Sequence, residues 1–166
     1  KEFIDLEKID QPLVLIVEDN LDLCFYLNQL LSDNYRIEIA NNGKEGLLKA
    51  TELLPDLIIS DIMMPQMNGL ELCKAIKTDE QISHIPIILL TARTTEKQQI
   101  EGIETGADDY ISKPFNSGIL TSKVKNLIDQ KNRLKQYLAN SFNIEVPGQG
   151  LPEDERIFLE KATKVV

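Results

Sequence analysis

Apolar positions along the chain follow two alternating periods. Leu13–Val17, Leu57–Ile59 and Ile87–Leu90 are continuous apolar runs of strand length. Such runs predict strands buried on both faces of a parallel sheet. Tyr35–Ile39 (YRIEI) alternates apolar and polar residues instead, which predicts a strand with one wet face at a sheet edge. Ala107–Ile111 is mixed and reads as a second edge. Between the runs, apolar residues recur at helical spacing: Leu23, Leu27 and Leu30; Leu47, Ala50 and Leu54; Leu72 and Ile76; Leu120, Val124, Leu127 and Ile128. Asn68 with Glu71 three residues later predicts a capping box at the third helix. The stretch 94–105 has only Ile100 and Ile103 as anchors. It predicts a weakly held fourth helix, either a moving part or an ordinary surface helix.

Strand and helix thus alternate five times with short connections, which predicts an α/β fold, a doubly wound (βα)5 flavodoxin-like parallel sheet. With the two edge-like strands second and fifth, the strand order is 2-1-3-4-5. The topological switch point then lies between the first and third strands, and ligands of such sheets bind outside the carboxyl ends there. The expected organisation is an upstream linker over residues 1–11, a domain over 12–138, and a linker with a short C-terminal helix over 139–166. The chain opens on Lys1 and not on methionine, so it reads as a piece of something longer.

The residues at the strand ends change the picture. The first strand ends in Glu18-Asp19, the third in Asp61, the fourth in Thr91-Ala92 and the fifth in Lys113-Pro114. A parallel sheet brings all of these to one end of the molecule. Singly each has a bland account: Asp19 or Asn20 as a helix cap, Thr91 as a turn residue, Lys113 as a solvated charge. Jointly they do not, because two carboxylates ~4 Å apart repel by ~4 kcal/mol at an effective dielectric of ~20. A divalent cation offsets that repulsion. Oxygen donors with no His or Cys beside them favour Mg²⁺, which takes one or two carboxylates, waters and a phosphate oxygen. A carboxylate nucleophile, magnesium and a lysine make a phosphoryl-acceptor site.

These residues resemble the response-regulator receiver domains of two-component signalling. The likeness spans about Pro12 to Leu138 and rests on an ordered set: VEDN (17–20), DIMMPQMNG (61–69), TA (91–92) and GADDYISKPF (106–115). The resemblance implies that Asp61 accepts a phosphoryl group from a phosphohistidine on a histidine kinase. It implies Mg²⁺ held by Asp19, Asp61 and the Met63 backbone carbonyl, with Glu18 acting directly or through water. Lys113 would pair with the phosphoryl oxygens and Thr91 would swing to hydrogen-bond them. Tyr110 would be the aromatic switch residue, its other reading being a plain edge-strand aromatic. Lys113-Pro114 resembles the family's cis peptide. The implied class is an acceptor domain and not a multiple-turnover enzyme. Its kinase can lie in the same polypeptide, and a homodimer is a further expected assembly.

Charge and the flanks complete the reading. The net charge of -9 argues against phosphate-backbone contacts with nucleic acid. Absence of a long apolar run or signal pattern argues against membrane contact by this stretch. Cys24 and Cys73 sit in helical apolar patterns and read as reduced core residues, so the expected location is cytoplasmic. Haloacid-dehalogenase-like phosphatases share the chemistry but need a second acid two residues after the nucleophile, where this chain has Met63. A flavodoxin-like cofactor module needs a phosphate-binding loop after the first strand, where Glu18 and Asp19 repel phosphate, and no Walker-type loop exists. His84 precedes Ile85-Pro86 and reads as an exposed loop residue, not a phosphodonor. Leu134 and Leu138 continue the heptad spacing of the last helix past Lys131, so that helix either runs on as a coiled-coil-like connector or ends near its basic residues. The segment from Pro152, with Phe158, Ala162 and Val165, resembles the stretch before an AraC-type DNA-binding region in hybrid two-component proteins of Bacteroidetes. The output this resemblance implies is transcriptional, the rival being a free-standing regulator or a hybrid kinase without its own DNA-binding part.

Overall fold

The computed structural model describes residues 10–92 and 106–142. Five parallel strands form one sheet: β1 (Leu13–Val17), β2 (Arg36–Ala40), β3 (Leu57–Asp61), β4 (Ile87–Thr91) and β5 (Asp109–Ser112). Their order is β2-β1-β3-β4-β5, as the polarity of Tyr35–Ile39 and Ala107–Ile111 predicts. All residues of β1, β3 and β4 are buried, while β2 and β5 are mostly half-buried. The central strands can be apolar up to their carboxyl ends because helices cover both faces.

On one face α2 (Gly43–Leu53) and α3 (Gly69–Thr78) enclose a core of Leu15, Val17, Ile58, Leu72, Ile76 and Leu89. On the other, α1 (Leu21–Leu31) and the first half of α4 (Ser117–Phe142) enclose Ile16, Leu27, Ile59, Leu90, Leu120 and Val124. Each fully buried Leu or Ile contributes roughly 1.5–3 kcal/mol. That frame is what tolerates acids at its rim.

An asparagine builds the start of each of the first three helices. Asn20 Oδ1 accepts from Leu23 N at 3.1 Å, Asn42 Oδ1 from Glu45 N at 2.9 Å, and Asn68 Oδ1 from Glu71 N at 2.8 Å. Only the third carries the full capping box, with Glu71 reaching back to the Asn68 N–H. Because each cap lies between the carboxyl end of a strand and the next helix, capping also fixes how the chain leaves the sheet.

At the opposite edge of the sheet, Lys77 Nζ donates to Ile85 O at 2.8 Å and to Asp108 Oδ2 at 3.0 Å, and Asp108 Oδ2 also accepts from Ile87 N at 2.8 Å. One lysine thus ties α3 to the entries of β4 and β5.

The chain divides into two compact units, Lys1–Ile128 and Asp129–Val166. Helix α4 continues to Phe142, past the basic residues near Lys131. Within its second half Leu134 and Tyr137 are exposed. The helix predicted over 94–105 and the C-terminal segment from Pro152 lie outside the described residues, so four of the five helices expected to alternate with the strands are described.

Candidate phosphoacceptor site

Strands β1 and β3 are neighbours, with Val17 opposite Ser60. Glu18 and Asp61 are each one residue further on, so the register alone brings their backbones together. Carboxylate oxygens of Glu18, Asp19 and Asp61 lie within 4.8 Å of one another. Lys113 arrives from the end of β5: its Nζ stands 3.1 Å from Asp61 Oδ1 and 3.7 Å from Glu18 Oε2. Thr91 closes β4 one residue past Leu90, the register partner of Asp61, and its carbonyl accepts from Lys113 N at 2.6 Å. The peptide between Lys113 and Pro114 is cis.

Burial decides the electrostatics. Glu18 is 2% exposed and Asp61 6%, whereas acids are almost never fully buried unless paired. Burial, with the neighbouring Asp61 charge, pushes the Glu18 carboxyl up to about 7, although the Asn20 N–H and Lys113 pull the other way. Glu18 Oε1 accepts from Asn20 N at 3.0 Å. Its Oε2 has no hydrogen-bond partner among the described residues; Lys113 is near enough for ion pairing only. The Cys24 thiol donates to Glu18 O at 3.3 Å, and burial together with the Glu18 and Asp19 charges pushes its pKa up. Cys24 and Cys73 are both free and buried; Cys24 belongs to the wall of the site, not to its chemistry.

An orphaned buried carboxylate oxygen beside two other acids is what a hard cation satisfies. The donor set is all oxygen, which fits a magnesium-type ion. Met63, two residues past Asp61, is exposed, in a loop that returns to the sheet through Gly69 N donating to Ile62 O at 2.9 Å. Tyr110 lies opposite Leu89 and packs on the α2/α3 face. His84 is exposed.

Two further residues, Asn20 and Gly69, take their place in the site from the fold. Asn20 caps α1 and also supplies the N–H that holds Glu18 Oε1; the VEDN run contains it, but only the fold shows it doing both. Gly69 is so close to the strand end that a Cβ there would stand 2.2 Å from Asp61 O. Its place in the loop is visible in the sequence, but not what it touches.

The strand order, with acids and a lysine at its switch point, defines a doubly wound α/β domain whose ligand site lies at the carboxyl ends of the strands. The profile of the response regulator receiver domain matches residues 14–125. Over 157 residues the chain is 42% identical to Histidine kinase P4 of Formosa agariphila, covering 95% of this chain and 12% of that protein. It is 42% identical over 129 residues to Hybrid signal transduction histidine kinase D of Dictyostelium discoideum, covering 78% of this chain and 8% of that protein. The signal receiver domain of a signal transduction histidine kinase from Syntrophus aciditrophicus superposes with a TM-score of 0.69 at 38% identity, over 72% of this chain and 91% of that one. The chain belongs to the response regulator receiver domain family, the phosphoacceptor domains of two-component signalling. It spans only a small part of the two kinases it matches.

Proposed function

We propose that Asp61 is the phosphoacceptor and that a histidine kinase supplies the phosphoryl group from a phosphohistidine. One Asp61 carboxylate oxygen attacks phosphorus; the phosphorus–nitrogen bond breaks, and the imidazole nitrogen keeps the electron pair and takes a proton. Lys113 then pairs with a phosphoryl oxygen and the Thr91 hydroxyl donates to another. Asp19, Asp61 and the Met63 carbonyl would hold Mg²⁺, with Glu18 acting directly or through water. When bound, the ion neutralises charge on the phosphoryl oxygens. Tyr110 is the aromatic whose packing answers Thr91. The observation that carries the reading is the trio of carboxylates within 4.8 Å with the Lys113 ammonium 3.1 Å from Asp61 and no imidazole among them.

The wider reading is a receiver within a hybrid histidine kinase, cytoplasmic, spanning about residues 12–138 and relaying to a transcriptional output. The alignment with a histidine kinase extends over 95% of the chain, so it runs into the flanks as well as the domain. No described helix is long and apolar enough to cross a membrane. Moving a two-state equilibrium from 1:99 to 99:1 takes about 5.5 kcal/mol of differential interaction, a sum that several charge-assisted contacts at a phosphoryl group supply.

The test is incubation with a small phosphodonor and Mg²⁺ followed by intact mass. Wild type is expected to gain one phosphoryl group and Asp61→Asn none. A gain that survives the substitution refutes Asp61, and repeated turnover of the donor without stoichiometric labelling favours a phosphatase.

A further inference from the structure

The loop after Asp61 is gripped from outside the site. Gly43 is the first residue of α2, and a helix leaves its first N–H groups without partners inside the helix. The Gly43 N–H finds its acceptor in Met67 O, at 3.2 Å, on the returning limb of the loop that begins at Asp61. The approach is so close that a Cβ on Gly43 would stand 2.3 Å from Met67 O and 2.7 Å from Met67 Cβ and Cγ. Gly43 is not in the left-handed region, so glycine is required here for space and not for conformation. The nearest obstacle is a backbone oxygen, which no rotamer change can move aside.

The helix start that makes this contact is itself held. Asn42 Oδ1 accepts from Glu45 N at 2.9 Å, and Glu45 Oε2 accepts from Asn41 N at 3.0 Å. On the loop side, Gln66 stands at φ +66°, a left-handed conformation that a non-glycine residue keeps only when its surroundings enforce it. Gly69 closes the loop against Asp61 and Ile62. Met63 therefore sits between an end fixed to the sheet and a limb fixed to α2.

We propose that Gly43 is a positioning residue for cation binding: by docking α2 against Met67 it sets where the Met63–Met67 limb stands relative to Asp61. This rests on the phosphoacceptor reading. The test is titration of the full chain with Mn²⁺, followed by the electron paramagnetic resonance of free Mn²⁺, for wild type, Gly43→Ala, Asn42→Ala and Ala50→Gly. Losing a support behind a metal ligand typically weakens binding by roughly 10–100-fold, and Gly43→Ala is expected at about tenfold. Asn42→Ala, which frays the same helix start without a clash, is expected to lose a few-fold. Ala50→Gly weakens α2 two turns further along, so it should lower the melting temperature and leave affinity unchanged. With a small phosphodonor, Gly43→Ala should label slowly at low Mg²⁺ and recover at saturating Mg²⁺, which a general loss of structure would not do.

Wild-type affinity in Gly43→Ala, or an equal loss in Ala50→Gly, overturns the proposal. Should Gly43→Ala not fold, Asn42→Ala decides it: a few-fold loss supports the docking role and an unchanged affinity refutes it. A wild type that binds no Mn²⁺ brings down the phosphoacceptor reading, and the role of Gly43 with it. A wild type that binds normally beside an unaffected Gly43→Ala removes the positioning role alone.

Discussion

Glu18 is the residue on which charge and burial conflict most directly. Its carboxyl is raised from the ordinary 4.5 to about 7, chiefly by burial. Between those two values the folded chain holds a proton that the unfolded chain has lost, so metal-free stability contributed by this group falls as pH rises from about 4.5 through about 7. Glu18→Gln should remove that slope, and urea unfolding in chelator at pH 5 and pH 8 measures it; an unchanged slope in the variant would disprove the cause assigned. Lys113 allows a second test at this scale. It is the cation 3.1 Å from Asp61, so Lys113→Ala should lose phosphoryl labelling yet bind Mn²⁺ more tightly, because a competing positive charge has gone. Weaker binding in that variant would show that Lys113 organises the acids and does not merely balance them.

Among the elements, the three asparagine caps do the same local job with different consequences. Asn68 has the reciprocal bond with Glu71 and opens the helix that follows the Asp61 loop. Asn68→Ala should cost about 1 kcal/mol, read as a fall of roughly 2–4 °C in melting temperature for a chain of this size. Gly69→Ala is a different kind of change at the adjacent position. Its Cβ would lie 2.2 Å from Asp61 O, so labelling of Asp61 should fall far more than the melting temperature. Equal effects in the two variants, measured by intact mass and calorimetry, would contradict this distinction between a cap and a backbone contact.

For the whole molecule, the clustered acids repel one another, and on the proposed reading a bound ion would turn that repulsion into stabilisation. A ligand that binds only the folded state adds RT ln(1 + [L]/Kd), or about 2.7 kcal/mol at 100 times Kd. Mg²⁺ should therefore raise the melting temperature of wild type, and the rise should shrink when Asp19 or Asp61 is replaced by asparagine. A rise of the same size in Asp61→Asn would place the ion elsewhere. The ion pairs of Lys77 with Asp108 and Lys123 with Asp109, at 3.0 and 2.6 Å, bind the start of β5 to α3 and α4. They lie away from the carboxyl edge and should tolerate substitution without loss of metal affinity.

Much of this is legible from residue order. Leu13–Val17, Leu57–Ile59 and Ile87–Leu90 announce buried parallel strands because a strand covered on both faces needs no polar side. The alternation at Tyr35–Ile39 announces an edge, displaced by one residue from the observed Arg36–Ala40. Glu18, Asp19, Asp61, Thr91 and Lys113 are legible as candidates because a parallel sheet sends every strand's carboxyl end the same way. β5 begins two residues later than its pattern predicts, since its mixed composition offers no sharp boundary. Only the tertiary structure decided the relations across distant segments. These include the burial that raises Glu18, the orphaned Oε2, the reach of Lys113 to Asp61, and the docking of Gly43 on Met67. Periodicity reports which side of its own element a residue faces. Distances between loops depend on register and packing summed over the whole sheet, and no local pattern of residues encodes that sum.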